Sequence, residues 1–460
     1  MSGSAVTPNG GSAPAVLRLP DPPGPRRGLP FAAINAFRRD PLAFLERTHR
    51  RYGDVSHWRF GPRRVYLLAH PERVREVLVT QHRNFIKSKA LQRAKVVLGE
   101  GLLTSEGEFH LRQRRLAQPA FHRERIAALG EQMVGFASEM AGEWRGGVEM
   151  DLPREMNRLT LAIAGKTLFG ADVQAEADEI GESLTHALEA FKRLTNPLAP
   201  ILDRLPLPTT RRVHRARARL DQTIYRLIAQ RRASGEDRGD LLSMLLAARD
   251  DEGDGGGMTD LQLRDEALTL FLAGHETTAN ALAWTWHLLA TDRQVEEKLH
   301  AELGAVLAGR APTADDLPRL PYTRAVLAES MRLYPPAWTI GREPLEEFEA
   351  GGYRIRAGSI VLASPWIVHH DPRWWADAER FDPDRWSPER EAQLPRFAYF
   401  PFGGGPRKCI GEGFAWTEEI LVLATLAQRW TLRHAPGATV GRQPLITLRP
   451  TGLRMIATPR

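Results

Sequence analysis

The sequence has little cysteine and no long apolar run. Cys409 is the single cysteine among 460 residues, so an internal disulfide is excluded. No stretch approaches the ~20 apolar residues needed to cross a bilayer, and no segment has the order of a secretory signal. Internal repeats are also missing. These absences exclude a disulfide scaffold and a repeat array, and they favour a soluble protein in a reducing cytoplasm.

The net charge is small for a chain of this length. The sequence has 63 Lys and Arg residues and 56 Asp and Glu residues, which gives a formal net charge of +7. The basic residues form short dispersed groups, such as RQRR at 112–115 and RRVHRARAR at 211–219, without interleaved aromatic side chains. This pattern favours solvated helix faces over a nucleic-acid surface. A docking face for an acidic protein partner stays open.

The organisation of the chain is that of one domain after a short leader. Residues 1–30 are rich in Pro, Gly and Ser, which predicts a flexible segment. Helical periodicity predominates from there on, interrupted by short β signals that include a hairpin turning at Gly61 and Pro62. We therefore predict a single mainly α domain with small β-sheets over 31–460.

A helical pattern about 32 residues long extends from Thr259 to Ala290 and opens with a capping box of Thr259 and Gln262. Its apolar course is interrupted by AGHETT at 273–278, in which Gly274 weakens the helix. Polar and small residues that interrupt an otherwise apolar helix are expected at functional sites.

Small residues share one face of this predicted helix. Thr277 can return its hydroxyl to the carbonyl of Ala273, which loosens the helix and leaves room for a polar ligand or water. Glu276 lies at the edge of the face, so that its carboxylate and Thr277 could relay protons. The alternative is structural: the small face admits a second helix, while His275 and Glu276 point to solvent. The face comprises Leu270, Ala273, Gly274, Thr277 and Ala281.

Cys409 lies in FGGGPRKCIG at 402–411, directly before another helical pattern. The glycines permit tight turns around the sulfur, and Arg407, Lys408 and the helix N-terminus favour a thiolate. A cysteine nucleophile would need a base that no local signature supplies, and zinc would need further cysteines or suitably spaced histidines. An axial thiolate on haem iron needs only one cysteine, and it fits a long helix with a proton relay.

The spaced pattern F-x-x-G-x-R-x-C-x-G at 402–411 resembles the haem-binding signature of the cytochrome P-450 family of haem-thiolate monooxygenases. Its five fixed positions would recur by chance in such a chain on the order of once in ten thousand. AGHETT resembles the family's oxygen-activation motif, ESMR at 329–332 its Glu-x-x-Arg, and FDPDRW at 381–386 the segment that supplies a further arginine. The resemblance implies the family fold, with a long central helix over haem b.

The resemblance also implies roles for individual residues. Cys409 is the iron ligand, and Glu276 and Thr277 deliver protons. Glu329, Arg332 and Arg385 form a structural network, and His110 stands where the family commonly has tryptophan. For Arg342, a solvated charge at a strand edge is the alternative to a propionate contact. The residues expected to contact the haem or its propionates are His110, Arg114, Arg342, Phe402 and Arg407.

The residues expected around the substrate include no charged anchor, which suits a sesquiterpene-like terpenoid hydrocarbon of secondary metabolism. A fatty-acid hydroxylase is the alternative, since cations at 87–95 and 192–219 could bind a carboxylate. A haem-thiolate sensor that does not oxygenate is a third hypothesis, which the presence of Glu276 and Thr277 disfavours. The pocket residues are Leu270, Phe271, Ala273, Gly274, Thr278, Ala337, Trp338, Thr339 and Ile340.

The resemblance covers almost the whole chain, so no segment is left for a fused reductase. Electrons are therefore expected from a separate ferredoxin and ferredoxin reductase, with NAD(P)H as their source. A small acidic ferredoxin is predicted to dock near Arg112, Arg115 and Lys408. The protein is expected to be a cytoplasmic monomer.

Overall fold

The computed structural model describes residues 19–25, 32–170, 208–250, 252–253 and 255–460. Helices predominate in these ranges, and the longer ones bury an apolar face, as the helical periodicity predicts. The α-helices are α1 Ala32–Arg39, α2 Pro41–Tyr52, α3 Pro71–Arg75, α4 Lys89–Gln92, α5 Lys95–Leu98, α6 Gly107–Ala117, α7 Arg123–Glu143, α8 Leu152–Phe169, α9 Pro208–Ser234, α10 Leu241–Ala247, α11 Asp260–Leu289, α12 Arg293–Leu307, α13 Pro321–Leu333, α14 Pro365–His369, α15 Pro388–Glu391 and α16 Glu412–Ala427.

Short strands form small sheets beside the helices. They are β1 Val55–Phe60, β2 Arg63–Leu68, β3 Phe85–Lys87, β4 Glu149–Asp151, β5 Ile340–Pro344, β6 Phe348–Ala350, β7 Tyr353–Ile355, β8 Ile360–Ala363, β9 Trp430–His434, β10 Gly441–Pro444, β11 Leu448–Thr451 and β12 Arg454–Pro459. The largest sheet has the order β1-β2-β8-β5-β3, in which only β2 and β8 are parallel. The predicted hairpin joins β1 to β2, and the mainly α class with small sheets is confirmed.

The helix α11 runs through the middle of the helical core. Its N-terminus is fixed by the predicted capping box, in which the Gln262 N–H donates to the Thr259 hydroxyl at 3.2 Å and the Thr259 N–H donates to the Gln262 side chain at 2.9 Å. Large apolar clusters on α8, α13 and α16 cover its C-terminal half, and α9 and α10 cover its N-terminal half. In the ranges that the structure describes, no helix combines the length and hydropathy of a membrane span.

Residues 19–25 are anchored to the sheet. The Asp21 carboxylate accepts a hydrogen bond from Arg64 Nη1 at 2.8 Å and another from Arg356 Nη2 at 3.2 Å. This part of the predicted leader is thus held in an extended course by a carboxylate shared between β2 and the residue that follows β7. The other leader residues lie outside the described ranges.

Candidate active site

The loop that carries Cys409 is shaped by close backbone approach. Gly405 has a φ of +67°, and a Cβ atom there would lie 1.9 Å from the carbonyl oxygen of Leu78, so only glycine fits. The Cys409 N–H donates to the carbonyl of Phe402 at 3.0 Å, and the N–H of Gly411 points to the sulfur. The sulfur is therefore held just before the first residue of α16.

The charges near Cys409 favour a thiolate less than the sequence predicts. Lys408 forms an ion pair with Glu412, and Arg407 forms one with Glu106, so both cations are partly neutralised. Cys409 is exposed on one side, yet protein encloses the rest of it, and burial raises the pKa of the thiol. A metal ion bound to the sulfur would reverse this balance, because a coordinating thiol loses its proton.

A group of buried or half-buried basic side chains, here called the basic cluster, lies beside the loop. Arg407 Nη1 donates to the carbonyl of Ser105 at 2.8 Å, while Arg342 donates only to the neighbouring carbonyl of Gly341, at 3.1 Å. Burial and the charge of Arg407 lower the pKa of Arg342 to about 10, and burial also lowers the pKa of Arg407. The basic cluster consists of Lys87, His110, Arg114, Arg342 and Arg407.

The three arginines of the basic cluster have more positive charge than Glu106, the carboxylate that pairs with Arg407, can balance. His110 is buried, and in the described part of the chain its Nε2 atom has no hydrogen-bond partner. Burial and Arg407 lower the pKa of this histidine to about 3. Arg114 Nη1 donates to the carbonyl of Lys408 at 2.8 Å, which joins the cluster to the cysteine loop. Buried cations and an unpaired donor fit the two carboxylates of a haem.

Sequence reasoning missed the place of Lys87 in this cluster. It assigned the lysine to a region that could bind a fatty-acid carboxylate. In the structure Lys87 is buried, its Nζ donates to the carbonyl of Leu102 at 2.5 Å, and burial together with Arg407 lowers its pKa to about 6. The pairing of β3 with β5 places Lys87 opposite Arg342. That pairing joins segments more than 250 residues apart, so no local pattern signals it.

The middle of α11 has an uncovered face, here called the open face, formed by Ala273, Gly274 and Thr277. Ala273 is exposed and the other two are half-buried, although most of the surrounding helix is buried. The Thr277 hydroxyl donates to the carbonyl of Ala273 at 2.7 Å, as predicted. A Cβ atom on Gly274 would meet nothing within 4 Å. The alternative that a second helix packs closely against this glycine is therefore wrong.

Glu276 is buried beside the open face. One of its carboxylate oxygens accepts hydrogen bonds from the Thr447 hydroxyl at 2.5 Å and from Arg449 Nε at 2.6 Å. His275 is also buried, so neither side chain points to solvent. The Arg449 side chain is partly exposed, which connects the carboxylate to the surface.

Three residues predicted to line the pocket point elsewhere. The Phe271 ring packs on Phe169 at a centroid distance of 5.5 Å, and Thr278 faces the buried Glu418 of α16. Trp338 lies in the apolar core near α2 and the sheet, where its Nε1 donates to the carbonyl of Leu445 at 2.9 Å. Helix periodicity and core packing thus turn these three side chains away from the open face.

The remaining predicted pocket residues are compatible with a substrate pocket at the open face. Leu270 is buried, and it lies on the same side of α11 as the open face. In the segment after α13, three uncharged residues are half-buried: Ala337, Thr339 and Ile340. Phe402 is half-buried as well, with its ring 5.9 Å from that of Trp416.

The structure brings together Glu329, Arg332 and Arg385. Arg332 donates Nε and Nη2 to the two oxygens of Glu329, both at 2.8 Å, and Arg385 Nε donates to the same carboxylate at 3.1 Å. The sequence did not predict that the indole of Trp386 also donates to Glu329, at 3.0 Å. Arg332 and Glu329 are fully buried, so the group is a structural network inside the fold.

Two of the three residues predicted to dock ferredoxin are engaged within the chain. Arg112 donates to the carbonyl of Gly257 at 3.3 Å, and Arg115 forms a two-point contact with Asp250 at 2.9 and 3.0 Å. These contacts hold the segment before α11. Of the three, Lys408 is left as an exposed candidate, although it also pairs with Glu412.

Among the described residues, one cluster of His and carboxylate side chains is close enough to hold a metal ion: His49, Asp54 and Asp371. Arg373 already donates to both carboxylates, at 2.5 Å for Asp54 and 2.6 Å for Asp371. The cluster does not include Cys409, so the described ligands offer no zinc site around the cysteine.

Comparisons with known proteins agree with this geometry. The family model described as Cytochrome P450 matches residues 22–455. Cyclooctatin synthase of Streptomyces melanosporofaciens is 44% identical, over 94% of this chain and 95% of the relative. Cyclooctat-9-en-7-ol 5-monooxygenase of the same organism is 42% identical over 92% of both chains, and pentalenene oxygenase of Streptomyces avermitilis is 36% identical over 92% and 94%. The crystal structure of a cytochrome P450DA heme domain has a TM-score of 0.88 at 26% identity, covering 96% of this chain and 98% of that one.

Proposed function

The chain belongs to the cytochrome P450 family of haem monooxygenases, and we propose that it inserts one oxygen atom from O2 into a terpenoid alkene or alkenol. The observation that carries the substrate class is the open face of α11, which combines the Thr277 hydroxyl with small uncharged residues. The names of two relatives describe oxidation of such molecules, an alkenol in one and an alkene in the other.

Different side chains of this protein have different roles around the haem. The bound haem, ligated by Cys409, supplies the redox chemistry that activates O2. The basic cluster binds the two propionates by charge-assisted hydrogen bonds and so fixes the orientation of the ring. The open face holds the lipophilic substrate and excludes bulk water. The Thr277 hydroxyl holds a proton near the reacting oxygen.

Glu276 is the second proton-carrying residue in this proposal. Because it is held by Arg449 and Thr447, its carboxylate must leave at least one of them before it can reach Thr277. Arg449 is partly exposed, so a swing of this ion pair would carry the carboxylate between solvent and the open face. The same proposal places the protein in the cytoplasm, where NAD(P)H is available.

Turnover with defined substrates tests the proposed function. The haem-loaded protein, with a ferredoxin, its reductase and NAD(P)H, is expected to add one oxygen atom to pentalenene or cyclooctat-9-en-7-ol, detected by mass spectrometry. A long-chain fatty acid should give no product, because the cations in the first region predicted to bind its carboxylate are engaged: Lys89 pairs with Glu343 and Lys95 with Glu100. Of the second predicted region, residues 192–207 lie outside the described ranges. Fatty-acid hydroxylation would reverse the substrate assignment, and no product from any lipophilic substrate would favour a sensor.

We further propose that the electron donor is a separate acidic ferredoxin that docks at Arg123, Arg125 and Lys408. Both arginines are exposed at the start of α7 and, among the described residues, have no acidic partner. The first turn of α7 packs on the first turn of α16, directly after the cysteine loop, since Ile126 Cδ1 lies 3.3 Å from where a Cβ on Gly413 would be. A basic surface close to the iron ligand suits electron transfer from an anionic partner.

Charge reversal tests the docking surface. The double variant Arg123→Glu/Arg125→Glu is expected to raise the apparent KM for ferredoxin roughly tenfold and to flatten its salt dependence, with little change in the carbon monoxide spectrum. Arg38→Glu/Arg39→Glu is a matched control, because these arginines are exposed at the end of α1, which packs on α2 and β1. Equal effects of the two double variants would contradict the assigned surface.

A further inference from the structure

A group of buried polar atoms lies between α6 and α11. Gln113 on α6 and Glu266 on α11 are 0% exposed, and Thr269 on α11 is 3% exposed. In the described part of the chain, Gln113 Oε1 and Nε2, Glu266 Oε1 and Thr269 Oγ1 have no hydrogen-bond partner. Leaving such atoms unpaired is costly, so ordered water is expected among them. These three residues are called the buried polar cluster.

Backbone contacts connect the buried polar cluster to the basic cluster. The Leu102 N–H donates to Glu266 Oε2 at 3.0 Å, while the Leu102 carbonyl accepts a hydrogen bond from Lys87 Nζ at 2.5 Å. Gln113 lies close enough to Glu266 to favour its ionised form, although no well-aligned hydrogen bond joins them. The same loop approaches Thr269, since a Cβ on Gly101 would lie 2.2 Å from its Oγ1.

The buried polar cluster and the open face lie along one side of α11. At 100° per residue, Glu266, Thr269, Ala273 and Thr277 fall within about 80° of the helix circumference. Thr277 lies eleven positions after Glu266, a rise of about 16 Å at 1.5 Å per residue. A few ordered waters beside Thr269 would bridge much of this distance, and each would find polar partners in the cluster.

We propose that Glu266 supplies protons to the oxygen site at Thr277 through waters held by Gln113 and Thr269, a route separate from Glu276. This inference rests on the proposed monooxygenase activity. Each turnover takes two electrons from the redox partner and two protons; one oxygen atom enters the substrate and the other leaves as water. The Glu266 carboxyl gives up one proton along these waters and is reprotonated by one proton from solvent before the next turnover.

The electrostatics of Glu266 suit a proton donor near neutral pH. Burial raises the pKa of this carboxyl to about 7, and Asp265 adds to the rise, whereas Leu102 N–H, Lys87 and Gln113 oppose it. The titratable groups that face it are Lys87 from β3 and Asp265 from α11, and His110 of α6 lies close to the Leu102 backbone without a well-aligned hydrogen bond. Because the raised pKa leaves the group protonated below about pH 7, its proton supply falls as the pH rises through that value.

Infrared difference spectroscopy of the haem-loaded protein tests the connection without turnover. We expect a protonated-carboxyl band that shifts when carbon monoxide binds the reduced iron and disappears in Glu266→Gln. Glu419→Gln is the matched control, because Glu419 on α16 is also fully buried and burial raises its pKa to about 8. In Glu419→Gln we expect the loss of a different carboxyl band, one that does not shift when carbon monoxide binds. A carbon monoxide response that is absent, or that persists in Glu266→Gln, overturns the proposal.

Coupling measurements test the role in turnover. In Glu266→Gln, the product formed per NAD(P)H is expected to fall by about half below pH 7, since the Glu276 route is retained, and to lose its decline above about pH 7. Unchanged coupling and an unchanged pH profile would contradict the route and leave the monooxygenase assignment intact. No product from the wild-type protein, with the carbon monoxide response present, would instead refute the activity and support the connection from Glu266 to the iron site.

Discussion

Cys409→Ser is expected to abolish the thiolate-type spectrum of the reduced carbon monoxide complex and to reduce product formation to background. A serine hydroxyl is a poor replacement for a thiolate, because it stays protonated near neutral pH and does not donate the same electron density to iron. Any haem that is retained is then held through the basic cluster alone, so haem content should also fall. Absorption spectra of the purified variant and its haem-to-protein ratio measure both effects.

The fold of the Cys409→Ser variant should change little. The loop is fixed by backbone contacts, including the Cys409 N–H to the Phe402 carbonyl at 3.0 Å and the close approach of Gly405 to Leu78, which do not involve the sulfur. The thermal unfolding midpoint of the haem-free protein therefore serves as the control. Lys408→Gln, at the residue before the cysteine, is the matched control variant, and it should keep the thiolate-type spectrum. Persistence of that spectrum in Cys409→Ser would overturn the assignment of the iron ligand.

The parts of the site that the sequence predicts are those encoded within short segments. The capping box of α11 and the back-bond from Thr277 to Ala273 depend on residues three or four apart, and both are present. The Glu329 and Arg332 pair is also local, because an i, i+3 spacing places the two side chains together on α13. Regular helix geometry is sufficient to predict such contacts.

The errors concern side chains whose direction depends on distant partners. Trp338 follows a helix that ends near the pocket, yet its ring enters a core formed with α2 and β2. Phe271 and Thr278 are each next in sequence to a residue of the predicted face. Their directions are set by contacts with other helices, Phe271 with α8 and Thr278 with α16. Composition gives no information on these partners, because an apolar residue suits a core and a lipophilic pocket equally well.

Burial raises the pKa of Cys409 and outweighs a backbone N–H of the cysteine loop and Lys408, which do lower it as predicted, and the reason is related. Arg407 and Lys408 are positive in the sequence, but Glu106 and Glu412 neutralise much of their charge in the fold. Glu412 could have been found from its i, i+4 spacing to Lys408, whereas Glu106 is about 300 residues from Arg407. Counting nearby cations therefore overstates their effect on a buried group unless the acids of the folded state are included.

Thr277→Ala is expected to lower the product formed per NAD(P)H roughly tenfold, while the consumption of NAD(P)H and O2 continues. The Thr277 hydroxyl is the polar group of the open face, so its loss leaves activated oxygen without a positioned proton donor. Reduced oxygen should then escape as hydrogen peroxide, which a peroxide assay measures beside product formation. Thr277→Ser keeps the hydroxyl and should restore most of the coupling.

Thr285→Ala on the same helix is the matched control for Thr277→Ala. Thr285 makes the same type of back-bond, from its hydroxyl to the carbonyl of Ala281 at 2.8 Å, but it is fully buried in the core. If the Thr277 effect came only from releasing a helix carbonyl, both variants would lower coupling and shift the unfolding midpoint alike. A loss of coupling confined to Thr277→Ala, with stability changed by less than about 1 kcal/mol, assigns the effect to proton delivery. Unchanged coupling in Thr277→Ala would remove this hydroxyl from the mechanism and leave Glu276 and Glu266 as the proton donors to test.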